Sequence, residues 1–497
     1  MNEIIVRKID NVYFKIECDF SQALELKEYL SCYAVNFQYH PKFKNRLWNG
    51  KVYFFSNKDY LLPIGLLPNL FRFSKKFDYK IKLDLDINSL SNQYSDELIE
   101  KFCDQIKEDY KTKYELYDYQ QEALIKCIKN KRGIAQIATG GGKSLIQFYL
   151  MQFLRSKNKK IMMIVPTVSL VNQMYSDFMD YGWYDIDEYV EKLYSGEKPI
   201  YNKDVLITTW QSIYTRPQSF FEQYTAIIVD EVHNAKSLSI NSIMKKCINA
   251  DYKYGFTGTM PKEQSDVYNI IGYIGPVLYE QISKNLIDKG VLSQIAIANL
   301  LLKYPSDMVE RNKNRIYNEE VNTICTYSER NKVFEYLFKH MEDKQNSIIL
   351  CHLIDHLKLI ESYLKNHLDS KYTIYIIYGD IKPSERELIR KTMNEKSNVI
   401  LLGTYSCLST GLNINKLHNV IFASSYKSRI KVLQSIGRGL RLHESKSKMI
   451  LYDLVDDMTW TTRTGSIGKN HIYKHWEERL KYYDEQGFKY MTREFKL

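Results

Sequence analysis

Three short stretches carry residue types and spacings that could do phosphate chemistry. The first is Ala138-Thr139-Gly140-Gly141-Gly142-Lys143-Ser144. Its three glycines let backbone N–H groups turn inward and approach phosphate oxygens with no Cβ in the way. Lys143 would reach the β- and γ-phosphates, and the Ser144 hydroxyl would ligate Mg²⁺. The strict phosphate-loop pattern wants a glycine where Ile137 stands. The second stretch is Asp230-Glu231-Val232-His233, directly after the apolar run Ala226-Ile227-Ile228-Val229. A carboxylate at the C-terminal end of a buried strand lies in the crevice where α/β sheets bind ligands. Asp230 there would hold Mg²⁺ through water, and Glu231 would orient and deprotonate an attacking water. The third is Gln434-Ser435-Ile436-Gly437-Arg438-Gly439-Leu440-Arg441. Arg438 and Arg441 are three apart, so on a helix they share a face and can point at one phosphate group. Each stretch alone has a plainer reading, as a glycine turn, a loop start or a basic solvated helix. Their occurrence together in one chain favours the chemical one.

The elements around them have the right kinds. Residues 133–137 read as a short buried strand and 144–153 as a helix, the setting a phosphate loop needs. Continuous apolar runs at 161–165, 205–209, 226–229 and 252–256 read as buried parallel strands. The last of these ends in Thr257-Gly258-Thr259. A helix over 121–129 precedes the phosphate-loop strand, with Gln120 at its start, where an amide could read an adenine edge. A second α/β region follows from about residue 295, with strands at 347–352, 373–377, 399–402 and 420–423 and no second phosphate loop.

Residues 1–105 form a first unit. Residues 4–9 and 12–16 alternate like paired strands, and 21–30 reads as a helix with Ser21 as N-cap. Pro41 to Lys51 brings Lys42, Lys44, Arg46 and Lys51 around an Asn49-Gly50 turn signal with Phe43 and Trp48, before a strand at 52–55. Cations with aromatic rings are the composition of a nucleic-acid contact, with charge for phosphates and rings for bases. The competing reading is a solvated hairpin with both rings in a small core. Residues 89–118 are polar and charged, and part of that stretch reads as a link to the next unit.

The chain has 497 residues, 70 Lys and Arg against 59 Asp and Glu, and a net charge of +11. That length supports several domains, and the charge suits a polyanionic partner. The eight cysteines are scattered without a C-x-x-C pair, as expected of reduced core thiols. No early apolar run marks a secretory signal, and no run of about 18 apolar residues could span a membrane. The expected location is the cytoplasm, of the host if the chain is phage-encoded.

These motifs carry a family resemblance. The chain resembles the superfamily 2 helicases: Ala138 to Ser144 is similar to their motif I, and Asp230 to His233 to motif II in its DExH form. Pro166-Thr167 resembles motif Ia and Thr257-Gly258-Thr259 motif III, and Gln120 falls at the Q-motif position. Gly403-Thr404-Tyr405-Ser406 and Ser409-Thr410-Gly411-Leu412-Asn413 resemble motif V, with Asn413 where many relatives carry a ribose-binding Asp. Gln434 to Arg441 resembles motif VI. The first unit and the tail after Asp457 are also similar to phage recombination helicases, chiefly through Pro41-x-Phe43, Trp48-x-Gly50 and Leu61-Leu62-Pro63-x-Gly65-Leu66.

The resemblance implies an α/β fold with two RecA-like parallel-sheet lobes, at 106–294 and 295–457. A small α/β domain at 1–105 would precede them and recognise branched DNA, and a helical segment at 458–497 would follow. It implies ATP and Mg²⁺ as cofactors, with Gln120, Thr139, Gly140, Gly141, Gly142, Lys143, Ser144, His233, Gly411, Asn413 and Gln434 touching the nucleotide. Lys143, Asp230, Glu231, Arg438 and Arg441 would carry hydrolysis. Pro166, Thr167, Gly196, Thr209, His352, Thr404 and Ser406 would grip a nucleic-acid backbone, alongside Lys42, Lys44, Arg46, Trp48 and Lys51. The implied activity is ATP-driven remodelling of branched DNA by a monomer. Implied partners are branched and single-stranded DNA, RNA–DNA hybrids, and recombination or single-strand-binding proteins. Two other readings stay open, a non-motor DNA clamp or annealing protein and a DNA-translocating subunit of a restriction system.

Overall fold

The computed structural model describes residues 3–84, 90–194, 203–236, 238–408, 414–424 and 426–497. Gly196, Gly411 and Asn413 lie outside the described residues. The chain divides into two compact units. One is Met1–Ile137 with Gly142–Gln281, and the other is Ile282–Leu497 with the tetrapeptide Ala138–Gly141. The division thus falls before residue 294. Residues between follow the second unit because Ser283 N–H donates to Gln486 Oε1 and Ser293 N–H to Leu440 O.

The apolar runs of the first unit become a seven-stranded parallel sheet. Its order is Val277–Gln281, Arg132–Ile137, Tyr252–Thr257, Ala226–Asp230, Ile161–Val165, Val205–Thr209 and Val190–Leu193. A parallel sheet is covered on both faces, so its strands must be apolar throughout. Ile161–Val165 and Ala226–Asp230 are buried at every position. Asp230 pairs in register with Phe256, and Thr257 with Gln136. That register brings the ends of three adjacent strands, and the loops leaving them, to one edge.

The N-terminal module belongs to the same unit. Glu3–Lys8 and Tyr13–Glu17 pair antiparallel, as the alternation predicts, in a four-stranded sheet with Leu61–Pro63 and Lys80–Asp84. Helix Phe20–Tyr29 is capped by Asp19 rather than Ser21, because Asp19 and Gln22 form a reciprocal capping box. Gly65 has no Cβ because Ile271 leaves no room: a Cβ there would stand 1.7 Å from Ile271 O. Phe54 packs edge-on against Tyr268 at 5.2 Å, and Asn11 N–H donates to Ile248 O at 3.1 Å. The polar stretch read as a linker holds helix Asp96–Asp109, which buries Ile99, Cys103 and Ile106 at helical spacing. All eight cysteines are free thiols.

The second unit holds another seven-stranded parallel sheet. Its order is Thr373–Ile377, Val399–Thr404, Ser347–Cys351, Asn419–Phe422, Lys448–Asp457, Gln294–Lys303 and Tyr490–Lys496. The tail at 458–497 is therefore not only helical. It holds helix His471–Glu485, and then Tyr490–Lys496 joins the sheet beside Gln294–Lys303. As an exposed edge strand it has no apolar alternation to mark it in sequence. No helix of the described residues is long and apolar enough to cross a membrane.

Candidate nucleotide site

Strand Arg132–Ile137 runs into the glycine turn. Gly140 and Gly142 hold φ of 86° and 73° there, the left-handed region that glycine adopts without steric cost. Gly142 caps helix Lys143–Ser156, whose first-turn amides lack intrahelical acceptors. Helix start and glycine turn together form a ready anion cradle, with Thr139 and Gly141 in the turn.

Gln120 braces this turn. It sits in the first turn of helix Asp118–Asn130, buried, with Oε1 accepting from Tyr117 N–H at 2.9 Å. Its Nε2 donates to Gly142 O at 3.4 Å, and a Cβ on Gly142 would stand 2.2 Å from it. The amide thus contacts main chain through both its oxygen and its nitrogen.

Lys143 Nζ lies 3.5 Å from Ile137 O and 3.7 Å from Glu231 Oε1, so the ammonium spans the glycine turn and the Asp-Glu strand end. Ser144 Oγ lies 2.7 Å from Tyr181 Oη. Glu231 has φ of 48°, a left-handed conformation that costs a non-glycine residue about 1–3 kcal/mol and is characteristic of functional sites. Its other oxygen lies 3.2 Å from His233 Nδ1. His233 Nδ1 is in turn 2.9 Å from Thr257 Oγ1, which donates to Thr259 O at 3.1 Å. Glu231, His233, Thr257 and Thr259 thus form one polar chain across two adjacent strand ends.

Asp230 ends its strand buried, and its Oδ1 accepts from Gln147 Nε2 at 3.0 Å. Burial pushes the Asp230 carboxyl up to about 6, and the Glu231 carboxylate adds to the rise, against Lys143 and Gln147. Gln147 is fully buried and was passed over in the sequence. The signal that could have found it is its place one helical turn after Lys143, among apolar neighbours. Among the described residues no cluster of three or more His, Cys, Asp or Glu could cage a metal. Nucleotide-bound Mg²⁺ needs none, since it keeps water and phosphate ligands beside one or two protein oxygens. A buried carboxylate bonded to a neutral amide, close to a helix N-terminus, fits that ion.

Arg438 lies in the last turn of helix Arg429–Gly439, but Arg441 lies beyond the cap residue Leu440. Arg441 therefore follows the helix end instead of continuing the helix. The glycines at 437 and 439 weaken the helix end, and Arg441 is set instead by its carbonyl, which accepts from Ser293 Oγ at 3.0 Å. Gln434 is buried on the same helix.

The strand-end residues are engaged locally. Thr167 caps its helix by accepting from Leu170 N–H, and Pro166 O accepts from Gln211 Nε2 at 3.4 Å. Thr209 Oγ1 lies 2.8 Å from Ser212 Oγ, and Thr404 Oγ1 3.1 Å from Ser406 Oγ. His352 packs edge-on against Tyr426 at 5.5 Å.

Residues 41–51 are not a hairpin. Lys51–Tyr53 pairs with Ser31–Tyr33, and the chain between them forms the short helices Phe37–Tyr39 and Pro41–Lys44. Gly50, at φ of 80°, returns the chain under the Phe37 ring. Lys51 pairs with Glu28, whereas Lys42, Lys44 and Arg46 have no ion-pair partner among the described residues.

Three family models match: the N-terminal domain of DNA helicase UvsW over residues 3–84, the res subunit of type III restriction enzymes over 113–262, and the helicase conserved C-terminal domain over 329–443. The chain is 29% identical to the ATP-dependent DNA helicase uvsW of Enterobacteria phage T4, over 100% of both chains. It is 23% identical to the DNA 3'-5' translocase XPB2 of Sulfurisphaera tokodaii, over 68% of this chain and 82% of the other. The crystal structure of T4 UvsW matches with a TM-score of 0.51 at 28% identity, covering 99% of each chain. The likeness takes in both parallel sheets and the N-terminal module, and the chain carries the domains of a superfamily 2 helicase.

Proposed function

We propose that this enzyme is an ATP-dependent DNA motor that remodels branched DNA: it migrates four-way junctions, regresses forks, and opens D-loops and R-loops. One observation carries the reading. Lys143, Ser144, Asp230 and Glu231 share one compact unit with an exposed loop of cations and aromatic rings. Bound ATP with Mg²⁺ supplies the phosphoryl group whose transfer to water drives the cycle. Lys143 neutralises phosphate charge, Ser144 and Asp230 hold Mg²⁺, and Glu231 takes the proton of the attacking water. Arg438 and Arg441 stabilise charge on the transferring group. Thr167, Thr209, His352, Thr404 and Ser406, with Pro166, contact the DNA backbone, which gives tracking without sequence choice. Lys42, Lys44 and Arg46 hold the branch. The protein works as a monomer in the cytoplasm, of the host if it is phage-encoded, beside recombination and single-strand-binding proteins.

The match of residues 113–262 to a restriction subunit favours one other reading, a DNA-translocating subunit that serves a nuclease. The N-terminal match weighs against it. ATP-dependent remodelling of a panel comprising simple duplex, fork, four-way junction and RNA–DNA hybrid decides. The motor reading expects turnover stimulated by DNA and strand exchange on the branched members. Turnover on plain duplex without exchange on any branch favours the restriction reading. Binding with no hydrolysis leaves only a clamp.

A further inference from the structure

The loop ahead of Lys51 is built as well as charged. Tyr33 stacks on Phe37 at 4.5 Å, and Phe37 meets Phe43 edge-on at 4.8 Å. Trp48 Nε1 donates to Lys51 O at 2.8 Å, and its ring meets His40 at 5.2 Å. Asn49 is fixed by Lys51 N–H and by the Tyr53 hydroxyl. Phe43 and Trp48 are therefore half-buried and held from behind. They line a shallow recess of about 640 Å³ together with Lys44, Arg46, Leu47 and Asn49. That volume falls in the range of small-molecule sites. Leu47 at the rim is 77% exposed, and Arg46 is turned out by a left-handed φ of 57°.

We propose that this recess receives one unstacked nucleobase at the branch point, with Lys44 and Arg46 on the phosphates that flank it. The inference rests on the branch-remodelling reading and adds the ligand. A lining of aromatic rings, with cations at the rim that have no ion-pair partner among the described residues, matches a planar π-faced group on a phosphodiester chain. Inside a duplex both faces of a base are covered. A base at the foot of a fork or junction has lost a stacking neighbour, and extruding it costs least. A recess takes one such base, where a flat platform would take several.

The test uses the full-length protein and fluorescent forks. One fork carries an abasic residue at the first unpaired position, and another carries 2-aminopurine there. Wild-type protein should bind the abasic fork about tenfold more weakly than the intact one, the size of one base–aromatic stack. Trp48→Leu should show the same loss on the intact fork and no further loss on the abasic one. Trp48→Phe should recover most of the affinity, and 2-aminopurine should quench on wild-type binding. Equal affinity of wild type for intact and abasic forks overturns the proposal, and that arm needs no folded variant. Additive losses overturn it as well. The branch-remodelling reading is checked separately with Lys42, Lys44 and Arg46 all changed to Ala, which should flatten the salt slope of fork binding by about 2–3. A flattened slope with no abasic effect removes the base but keeps the branch contact. An unchanged slope removes the segment from DNA binding altogether.

Discussion

Buried carboxylates are treated in opposite ways in the two sheets. In the second unit Asp453 and Asp456 lie on opposite faces of strand Lys448–Asp457, and each meets an arginine side-on. Arg479 donates twice to Asp453 at 2.8 Å, and Arg330 donates to Asp456 at 2.6 and 3.0 Å. The hydroxyls of Tyr483 and Tyr304 add a bond each at 2.8 Å. In the first unit Asp230 is buried as well, but its hydrogen-bond partner is the neutral amide of Gln147. Its carboxyl is pushed up to about 6, chiefly by burial. Fully neutralised carboxylates fix architecture. A carboxylate left short of positive charge, at the end of a strand, keeps a demand for positive charge that the proposed nucleotide-bound cation would meet.

The comparison can be broken at several points. The largest expected effect is on catalysis. Glu231→Gln should lower DNA-stimulated phosphate release by about 10²–10⁴-fold, with ATP still bound and the thermal midpoint little changed. Wild-type turnover would take Glu231 out of the site. Next is Arg330→Ala, which strands a buried Asp456 and should cost about 3–5 kcal/mol in denaturant unfolding. Arg330→Met combined with Asp456→Leu should recover most of that loss. A loss below about 1 kcal/mol for Arg330→Ala would make the pair ornamental. Third, Asp230→Asn should abolish turnover yet raise the nucleotide-free thermal midpoint, since it removes a buried charge that the fold itself does not neutralise. A lowered midpoint would put Asp230 with the architectural carboxylates.

The last prediction sharpens the contrast from the cationic side. Lys253 is buried in strand Tyr252–Thr257 opposite Arg132, and burial and then that arginine lower its ammonium to about 7. A folded-state value below the unfolded one means that the unfolded chain binds more protons between the two. Stability from this group therefore rises with pH from about 7 to about 10.5 and is lost as pH falls through that window. Lys253→Met should flatten the rise of unfolding free energy across that window. An unchanged slope would show that Lys253 keeps its charge in the fold.

Much of the first sheet was legible because its strands are continuous apolar runs and its loops are short. The glycine turn, the Asp-Glu strand end and the helix behind Lys143 follow from local chemistry. Gln147 was not legible, since a glutamine on a helix is commonly a surface residue and its burial depends on a strand 83 residues away. The helix ends at Gly439, before Arg441, a boundary that spacing alone does not report. Tyr490–Lys496 was missed because an edge strand needs no apolar face. The Asn49-Gly50 signal marks a real turn of the backbone, but the strand before it lies at Ser31–Tyr33 rather than at residues 41–48.

Gly65 has a mechanical consequence. Its backbone rests on the Ile271 carbonyl with no side chain between, so no rotamer change can slacken the joint. A tethered domain would find its target through effective concentration and lose force in the tether. Here the recess-bearing module is seated on helix Gln264–Tyr273, which begins seven residues after Thr257 ends its strand. A displacement of that helix reaches the module without a compliant link, as in a tool whose head is machined in one piece with its handle.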